Sequence, residues 1–373
     1  MRVLVVNAGS SSLKLTRLDA AGAVTAATTV ERWQGTGHLE PLAEFLAGCG
    51  PVDAVGHRVV HGGSRHTGPT VVDTLLPVYL SSISHLAPIH NPRAVAGIEA
   101  TGELLGDVPA VACFDTTFHT TLPPAARTYA LPREWNARWD LRRYGFHGLS
   151  HAHAARRGAE LVGRPLDDLR IVSCHLGAGA SLAAVLGGVS VDTTMGFTPL
   201  AGLVMNTRPG TLDPGLLLWP LAHGRVPEPE LADVLDHHSG LKGLSGTSGD
   251  LRDVLAGRAA GDPDCALAFD VYVHRLVREI AGMTAATGGL DLLVMTGGVG
   301  EHAWQVREAA GDALAHLGVA LDPGRNRAAD ADADVGAAGA AVRTVVVTAR
   351  EDLEIRRQVL ELLAPGGRPD RPR

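Results

Sequence analysis

Short runs of aliphatic and β-branched residues recur along the chain, and each stops at a glycine-rich turn. Residues 3–6 (Val-Leu-Val-Val) run into Asn-Ala-Gly-Ser-Ser-Ser, residues 171–174 (Ile-Val-Ser-Cys) into His-Leu-Gly-Ala-Gly, and residues 292–296 (Leu-Leu-Val-Met-Thr) into Gly-Gly-Val-Gly. Each reads as a buried strand that delivers a backbone loop to one site. Residues 150–161, 266–287 and 303–317 read as helices between them, and strand alternating with helix predicts an α/β fold. Two of the units resemble one another, Asn7-Ala-Gly-Ser-Ser-Ser-Leu13 and His175-Leu-Gly-Ala-Gly-Ala-Ser-Leu182, which implies two related domains that each present a phosphate-contacting hairpin to a shared cleft. Leu-Pro-Pro at 122–124 breaks any helix and stiffens a hinge, so a boundary is expected near residues 120–124. The Pro- and Gly-rich end, residues 365–373, reads as a frayed tail.

At 373 residues the chain has room for two to three domains of about 150 residues. A balance of 33 basic against 40 acidic residues, −7 overall, with no dense basic block, points away from nucleic acid and anionic membranes and toward a small-molecule partner. With 45% apolar and 20% charged residues the chain is globular rather than disordered. The first apolar run is too short for a signal peptide, and the longest other one, residues 215–222, is far short of a membrane span. Cys49, Cys113, Cys174 and Cys265 include no Cys-x-x-Cys pair. Neither a disulfide framework nor a thiolate zinc site is therefore expected, and the cytoplasm is the expected compartment.

Glycine lets backbone amides approach an anion and serine hydroxyls add donors, so residues 7–12 with Lys14 just beyond form a candidate phosphate cradle. An ordinary Gly-Ser hairpin turn accounts for the same residues. Neither of the two lysines, Lys14 and Lys242, stands in a Walker A context, which excludes a P-loop kinase. Gly298-Val-Gly300-Glu-His-Ala303 fits the dinucleotide pattern G-x-G-x-x-A, with Asp322 about 20 residues on as a ribose-binding acid. An NAD-dependent oxidoreductase is thus a second reading, although it leaves the arginine and histidine motifs unused.

Arg58 stands between an apolar strand and a Gly-Gly turn, and Arg208 stands among turn residues before Pro-Gly. A guanidinium in either place can grip a carboxylate or phosphate through two parallel hydrogen bonds, and two of them favour an anion in transfer. A surface salt bridge is the plainer account of either alone. His147 and His151 have i, i+4 spacing, but no H-E-x-x-H arrangement accompanies them and Gly148 weakens a helix there, which disfavours a zinc hydrolase. His147 is better used beside a transferring phosphoryl group; capping or packing accounts for His151 and His153. Asp115 follows the apolar run 108–113, as a cleft acid at a strand end or as a turn aspartate. Glu351 follows the run 344–348, as a first-turn acid of the last helix or, together with Asn7, as a Mg²⁺ ligand through water.

Ten segments in order, VLVVNAGSSSLK, GHRVVHGG, HLAPIHNP, CFDTTFH, YGFHGLSH, HLGAGASL, TMGFTPLAGLVMNTRPG, SGLKGLSGTSGDLRD, VMTGGVGEHA and TAREDLEI, span nearly the whole chain. Together they resemble the acetate and butyrate kinase family of the actin-like ATPase and sugar-kinase superfamily. The resemblance implies two ribonuclease-H-like domains around a central cleft, a homodimer, and reversible transfer of the ATP γ-phosphoryl group to acetate with Mg²⁺ or Mn²⁺. It implies an N-terminal domain of residues 1–119 with a returning C-terminal helix in 353–373, and a nucleotide-binding and dimerisation domain of residues 120–352. By the same resemblance Asn7 and Glu351 are metal-site residues, Arg58 and Arg208 bind acetate and the phosphoryl group, His147 stabilises the transition state, Asp115 is the essential acid and His90 is an added contact. Val60, Ile89, Phe146 and Pro199 would form a pocket for the acetate methyl. Nucleotide contacts would fall on Lys14, on His175, Leu176, Gly177, Ala178 and Gly179, on Asp250, Leu251 and Arg252, and on Gly298, Val299, Gly300, Glu301 and His302.

Acetate is ionised at neutral pH and needs no general base, so Asp115 is expected to orient a neighbouring arginine, or water on Mg²⁺. Ala178 and His302 stand where the family usually has asparagine, and Ala201, Asn206 and Thr211 replace commoner residues around Arg208. A propionate-preferring relative stays open, because one methylene changes discrimination by only about 1–3 kcal/mol. So does a nucleotide-binding sensor without turnover.

Overall fold

The computed structural model describes residues 1–9, 12–33, 35 and 37–364, so Ser10 and Ser11 of the expected cradle and the tail at 365–373 lie outside the described residues. The chain divides into two compact units: Met1–Thr120, Phe146–His153 and the residues from Arg350 on form one, and Thr121–Gly145 with Ala154–Ala349 form the other. This division differs from the expected boundaries mainly over Phe146–His153, and Gly148 supplies the reason. Its N–H donates to the Asp115 carbonyl (2.8 Å), the Phe146 carbonyl lies 3.0 Å from His119 Nε2, and Leu149 is buried in the first unit's core. A Cβ at residue 148 would collide with the Asp115 carbonyl and stand 2.8 Å from Phe118 Cβ, so only glycine allows this approach.

In the first unit β1 (Val3–Ala8), β2 (Ser12–Leu18) and β3 (Val24–Glu31) form an antiparallel meander. With β4 (Ala54–Val59), β5 (Thr70–Val71) and β6 (Ala110–Phe114) they make a six-stranded sheet in the order β3-β2-β1-β4-β6-β5. Strands β1, β4 and β6 run parallel, and β5 returns antiparallel to β6. The second unit repeats this plan with β7 (Arg170–Leu176), β8 (Ala180–Leu186), β9 (Val189–Thr193), β10 (Leu292–Thr296), β11 (Ala333–Asp334) and β12 (Arg343–Val346). Their order is β9-β8-β7-β10-β12-β11, with parallel and antiparallel pairs in the same places. Both meanders shift register at the corresponding point, Arg17/Leu18 in β2 and Ala184/Val185 in β8.

One device closes the foot of both sheets. Arg2 grips the Asp53 carboxylate through its backbone N–H, Nε and Nη2 (2.7, 3.0 and 2.5 Å), and Arg170 grips Asp291 through the same three groups (2.9, 2.8 and 2.9 Å). Each aspartate returns its own N–H to the arginine's carbonyl at 2.9 Å. The guanidinium hydrogen bonds hold both carboxyls below their ordinary range, Asp291 at about 2. The repeat visible in two hairpin sequences is thus a repeat of whole sheets.

Alternate residues of a strand face opposite ways, and β1 uses both faces. Leu4 and Val6 join Leu13, Leu15, Leu42 and Ala100 on one side, and Val3 and Val5 join Val111, Leu149, Ile355 and Val359 on the other. The helices Glu40–Cys49 and Asn91–Leu104 therefore cover one face, and the helix Glu351–Leu363 helps to cover the second. The three helices expected from periodicity stand at Gly148–Val162, Pro263–Ala286 and Trp304–Ala313. The last is shorter than expected, because the chain turns through a 3₁₀ segment, Ala315–Leu317, into Gly318 at φ 89°.

His57 on β4 is enclosed, with Nε2 3.1 Å from Thr101 Oγ1, and burial pushes its pKa from 6.5 down to about 3. The folded chain keeps this imidazole neutral where the unfolded chain takes up a proton, so the stability present above pH 6.5 is lost as pH falls toward 3. Urea titrations between pH 6.5 and 4 should show stability falling by up to about 1.4 kcal/mol per pH unit on account of this one group. His57→Gln should remove that part of the slope; an unchanged slope in the variant would refute the assignment.

Candidate active site

Ends of neighbouring strands in the first unit converge on Arg58. Across β1 and β4 its register partner is Asn7, and across β4 and β6 it is Cys113, two residues before Asp115. The Arg58 Nε donates to both Asp115 carboxylate oxygens (3.1 and 3.2 Å) and Nη2 donates to Oδ2 (2.7 Å). Its Nη1 lies 3.3 Å from Glu351 Oε2 and 3.5 Å from Asn7 Oδ1. Asp115 is 1% exposed; burial pushes its carboxyl up, Arg58 pulls against that rise, and the Glu351 charge adds to it. Burial also works against the Arg58 charge, but Asp115 and Glu351 outweigh it and hold the guanidinium protonated. Glu351 opens the helix Glu351–Leu363, as its sequence position predicted.

His147 adopts a left-handed backbone, φ 56°, a conformation that a non-glycine residue keeps only when its surroundings impose it. The helix begins at Gly148, and the His151 N–H donates to the His147 carbonyl (2.9 Å). His147 therefore stands outside the helix, so its spacing from His151 does not make a helical pair of ligands. Among the described residues no group of three or more His, Cys, Asp or Glu is placed to hold a metal. Phe146 is buried with its ring edge-on to His61 at 5.6 Å. Val60 is half-buried, Ile89 is exposed, and His90 immediately precedes the helix Asn91–Leu104. Lys14 lies on β2 opposite Asn7, with its side chain exposed.

In the second unit Arg208 and the half-buried Pro199 lie on one long loop after β9. The Met205 N–H donates to the Arg208 carbonyl (3.0 Å), those of Leu241 and Lys242 donate to the carbonyls of Met205 and Asn206 (2.9 Å each), and that of Asn206 donates to the Ala178 carbonyl (3.2 Å). The last bond ties the Arg208 loop to the β7–β8 turn, where His175, Gly177 and Gly179 are half-buried, Leu176 is buried and Ala178 is exposed. Burial lowers the Arg208 pKa, opposed by Asp236, whose Oδ1 lies 3.6 Å from Arg208 Nε.

Asp250 caps the helix Leu251–Ala259 by accepting from the Arg252 N–H (2.9 Å), and the Arg252 guanidinium grips the same carboxylate (3.0 and 2.6 Å). These bonds draw the Asp250 carboxyl down to about 2. Leu251 is buried and packs inward. Gly298, Val299, Gly300, Glu301 and His302 lie in the short helix Gly297–His302 after β10, with Gly298 and His302 exposed and Gly300 and Glu301 buried. The enclosed Arg307 donates to the carbonyls of Gly300 and Glu301 (2.8 and 2.7 Å), and the Glu301 carboxylate accepts from the Ala349 N–H (3.0 Å). Asp322, the ribose-binding acid of the NAD reading, instead caps the helix Pro323–Ala328 by accepting from the Arg325 N–H (2.9 Å). Sequence reading missed Asp236 and Arg307; neither belongs to a spaced motif, and each is placed by a contact outside its own helix, Asp236 with Arg208 and Arg307 Nε with Asn326 Oδ1 (2.7 Å).

The profile of the acetokinase family matches residues 43–357. An acetate kinase of Synechococcus sp. is 47% identical over 323 residues, covering 87% of this chain and 78% of that protein. An acetate kinase of Leifsonia xyli subsp. xyli is 44% identical over 395 aligned residues, 98% of this chain and 99% of that one. Among solved structures, Porphyromonas gingivalis acetate kinase superposes with a TM-score of 0.90 at 30% identity, covering 97% of this chain and 99% of that one. A propionate kinase from Francisella tularensis superposes at 0.88 and 30%, covering 96% and 98%. The two-domain actin-like fold is thereby shared.

Removing one partner of a buried ion pair leaves the other charge uncompensated, at a cost of about 3–5 kcal/mol. Asp115→Ala should lower stability in urea by that amount, and a loss below about 1 kcal/mol would mean that Arg58 is held by something else.

Proposed function

The chain belongs to the acetokinase family, and we propose that it transfers the γ-phosphoryl group of ATP to acetate, reversibly, giving acetyl phosphate and ADP. The observation that carries this reading is the Arg58 cluster, in which Asp115 occupies Nε and Nη2 while Nη1 faces Asn7 and Glu351. A guanidinium held this firmly, with Nε and one N–H of Nη2 engaged, can offer only its remaining Nη1 and Nη2 N–H groups, in a fixed direction, to a second anion. A carboxylate oxygen of acetate attacks the γ-phosphorus, one P–O bond forms as the bond to the ADP oxygen breaks, and no proton has to move. The acceleration then comes from positioning and from positive charge around the equatorial oxygens.

Arg58 and Arg208 are assigned to the acetate and phosphoryl anions, and His147, fixed by its backbone, to a donor for the transition state. Asp115 orients Arg58; with both carboxylate oxygens engaged it is not assigned a proton to carry. Val60, Ile89 and Phe146 in the first unit are assigned to the acetate methyl, with His90 as an added contact, and Pro199 in the second has the same assignment. Lys14, the β7–β8 turn, Asp250 with Arg252, and Gly298, Val299, Gly300, Glu301 and His302 are assigned to the nucleotide. Asn7 Oδ1 and Glu351 Oε2 approach one point, Arg58 Nη1. The hard oxygens of Asn7 and Glu351, which here face Arg58 Nη1, are of the kind that suits Mg²⁺ or Mn²⁺, and these two residues would hold the ion beside Arg58. When bound, it would offset negative charge on the β- and γ-phosphates.

The oligomer we assign is a homodimer. The helix Pro214–Ala222 buries none of its residues and leaves Leu216, Leu218 and Trp219 half-exposed or more, an apolar surface of the kind that marks an interface between subunits. No helix among the described residues is long and apolar enough to cross a membrane. The compartment we assign is the cytoplasm, where four buried free thiols are kept reduced.

Incubation with acetate, Mg²⁺-ATP and hydroxylamine should yield acetyl hydroxamate, with none detectable from Arg208→Ala; no product from the parent protein would sink the proposal. With propionate substituted, kcat/KM should be lower, and the reverse order would reassign the acceptor. Sedimentation should give a two-chain species that Leu218→Glu dissociates, whereas a monomeric parent protein would rule out the dimer.

A further inference from the structure

Asp236 is the only acid among the described residues that forms an ion pair with Arg208, and its position in the chain is a poor one for a carboxylate. It lies in the last turn of the helix Glu228–His237, where the partial negative charge of the carbonyl end disfavours another negative group. That end already has a cation, since Lys242 Nζ donates to the His237 carbonyl (3.0 Å). The Asp236 carboxylate therefore contributes nothing that its own helix needs.

Its surroundings serve Arg208 instead. The Thr207 hydroxyl donates to the Asp236 carbonyl (2.7 Å), and the Ser239 N–H donates to the Thr207 carbonyl (2.9 Å), so the residue before Arg208 is tied to the helix end at residue 236 and to residue 239 just beyond it. The Arg208 side chain and the backbone of the residue before it thus meet one short stretch, residues 236–239. The carboxylate lies 3.6 Å from Nε, an ion pair beyond hydrogen-bond distance, while Nη1 touches Met205 Sδ at 4.0 Å. In Arg58, by contrast, Asp115 takes both Nε and Nη2.

We infer that Asp236 is a positioning residue for Arg208, orienting the guanidinium from its Nε side so that N–H groups of Nη1 and Nη2 are offered to an anion. This rests on the assignment of Arg208 to the transferring group. In the hydroxamate assay on the full chain, Asp236→Ala should lower kcat about 10- to 100-fold through misplacement of Arg208, with the ATP KM unchanged. The thermal midpoint should stay level or rise, because an acid has left a helix C-terminus. Asp236→Glu should recover most of the loss, and adding Asp236→Ala to Arg208→Lys should cost nothing further, since the two act as one. Parental turnover in Asp236→Ala, a loss that follows a falling midpoint, or additive losses in the double variant would each overturn the inference. A parent protein inactive on acetate would remove the reading on which it stands, and the inference with it.

Discussion

Asp115 joins three parts of the first unit, and two different groups of one residue do it. Its carboxylate fixes Arg58 on β4, and its carbonyl receives the Gly148 N–H and so fixes where the chain passes from His147 into a helix. Burying such a pair costs more desolvation than a well-packed apolar substitute would. The fold bears that cost at the end of its central parallel strands, where the apolar runs of β1, β4 and β6 stop and polar side chains begin. The strained backbone of His147 follows from the same constraint.

The two sheets show how far one plan can diverge at its functional end. At the foot, the Arg2–Asp53 and Arg170–Asp291 grips are nearly superimposable in their bonding. At the other end the equivalents part. Register places Arg58 beside Asn7 in one sheet and Thr296 beside His175 in the other. A charged fork occupies the first, and a short glycine-rich helix, Gly297–His302, opens from the second. The shared framework sets where chain ends emerge; side-chain choice there sets what they bind.

Legibility in the sequence followed the range of the interactions. The strand at Leu292–Thr296 and the turn after β7 were readable because apolar runs and glycines act locally, whereas the glycines after β10 open a short helix. Strands β5 and β11 were not, being two residues long with no alternation to display. Phe146–His153 groups with the first unit, across the expected boundary, and the backbone hydrogen bond between Gly148 and Asp115 that holds it there leaves no mark in composition. Arg58, Asp115, Asn7 and Glu351 were each named from local context and the family's motifs, but the bonding that draws them into one cluster required the structure. Gly298-Val-Gly300 could be read as a dinucleotide turn until Asp322 proved to be a helix cap.

The first unit is assembled from chain segments that leave the ribosome far apart in time. Val3 and Val5 pack against Ile355 and Val359 of the helix Glu351–Leu363, far along the chain, so one face of the earliest sheet is not fully covered until that helix has been made. The second unit's strands, from Arg170 to Val346, are complete before then. Synthesis order and completion order are therefore inverted: the half made first is the half sealed last, and an interrupted chain carries exposed apolar sheet surface for chaperones and proteases to recognise.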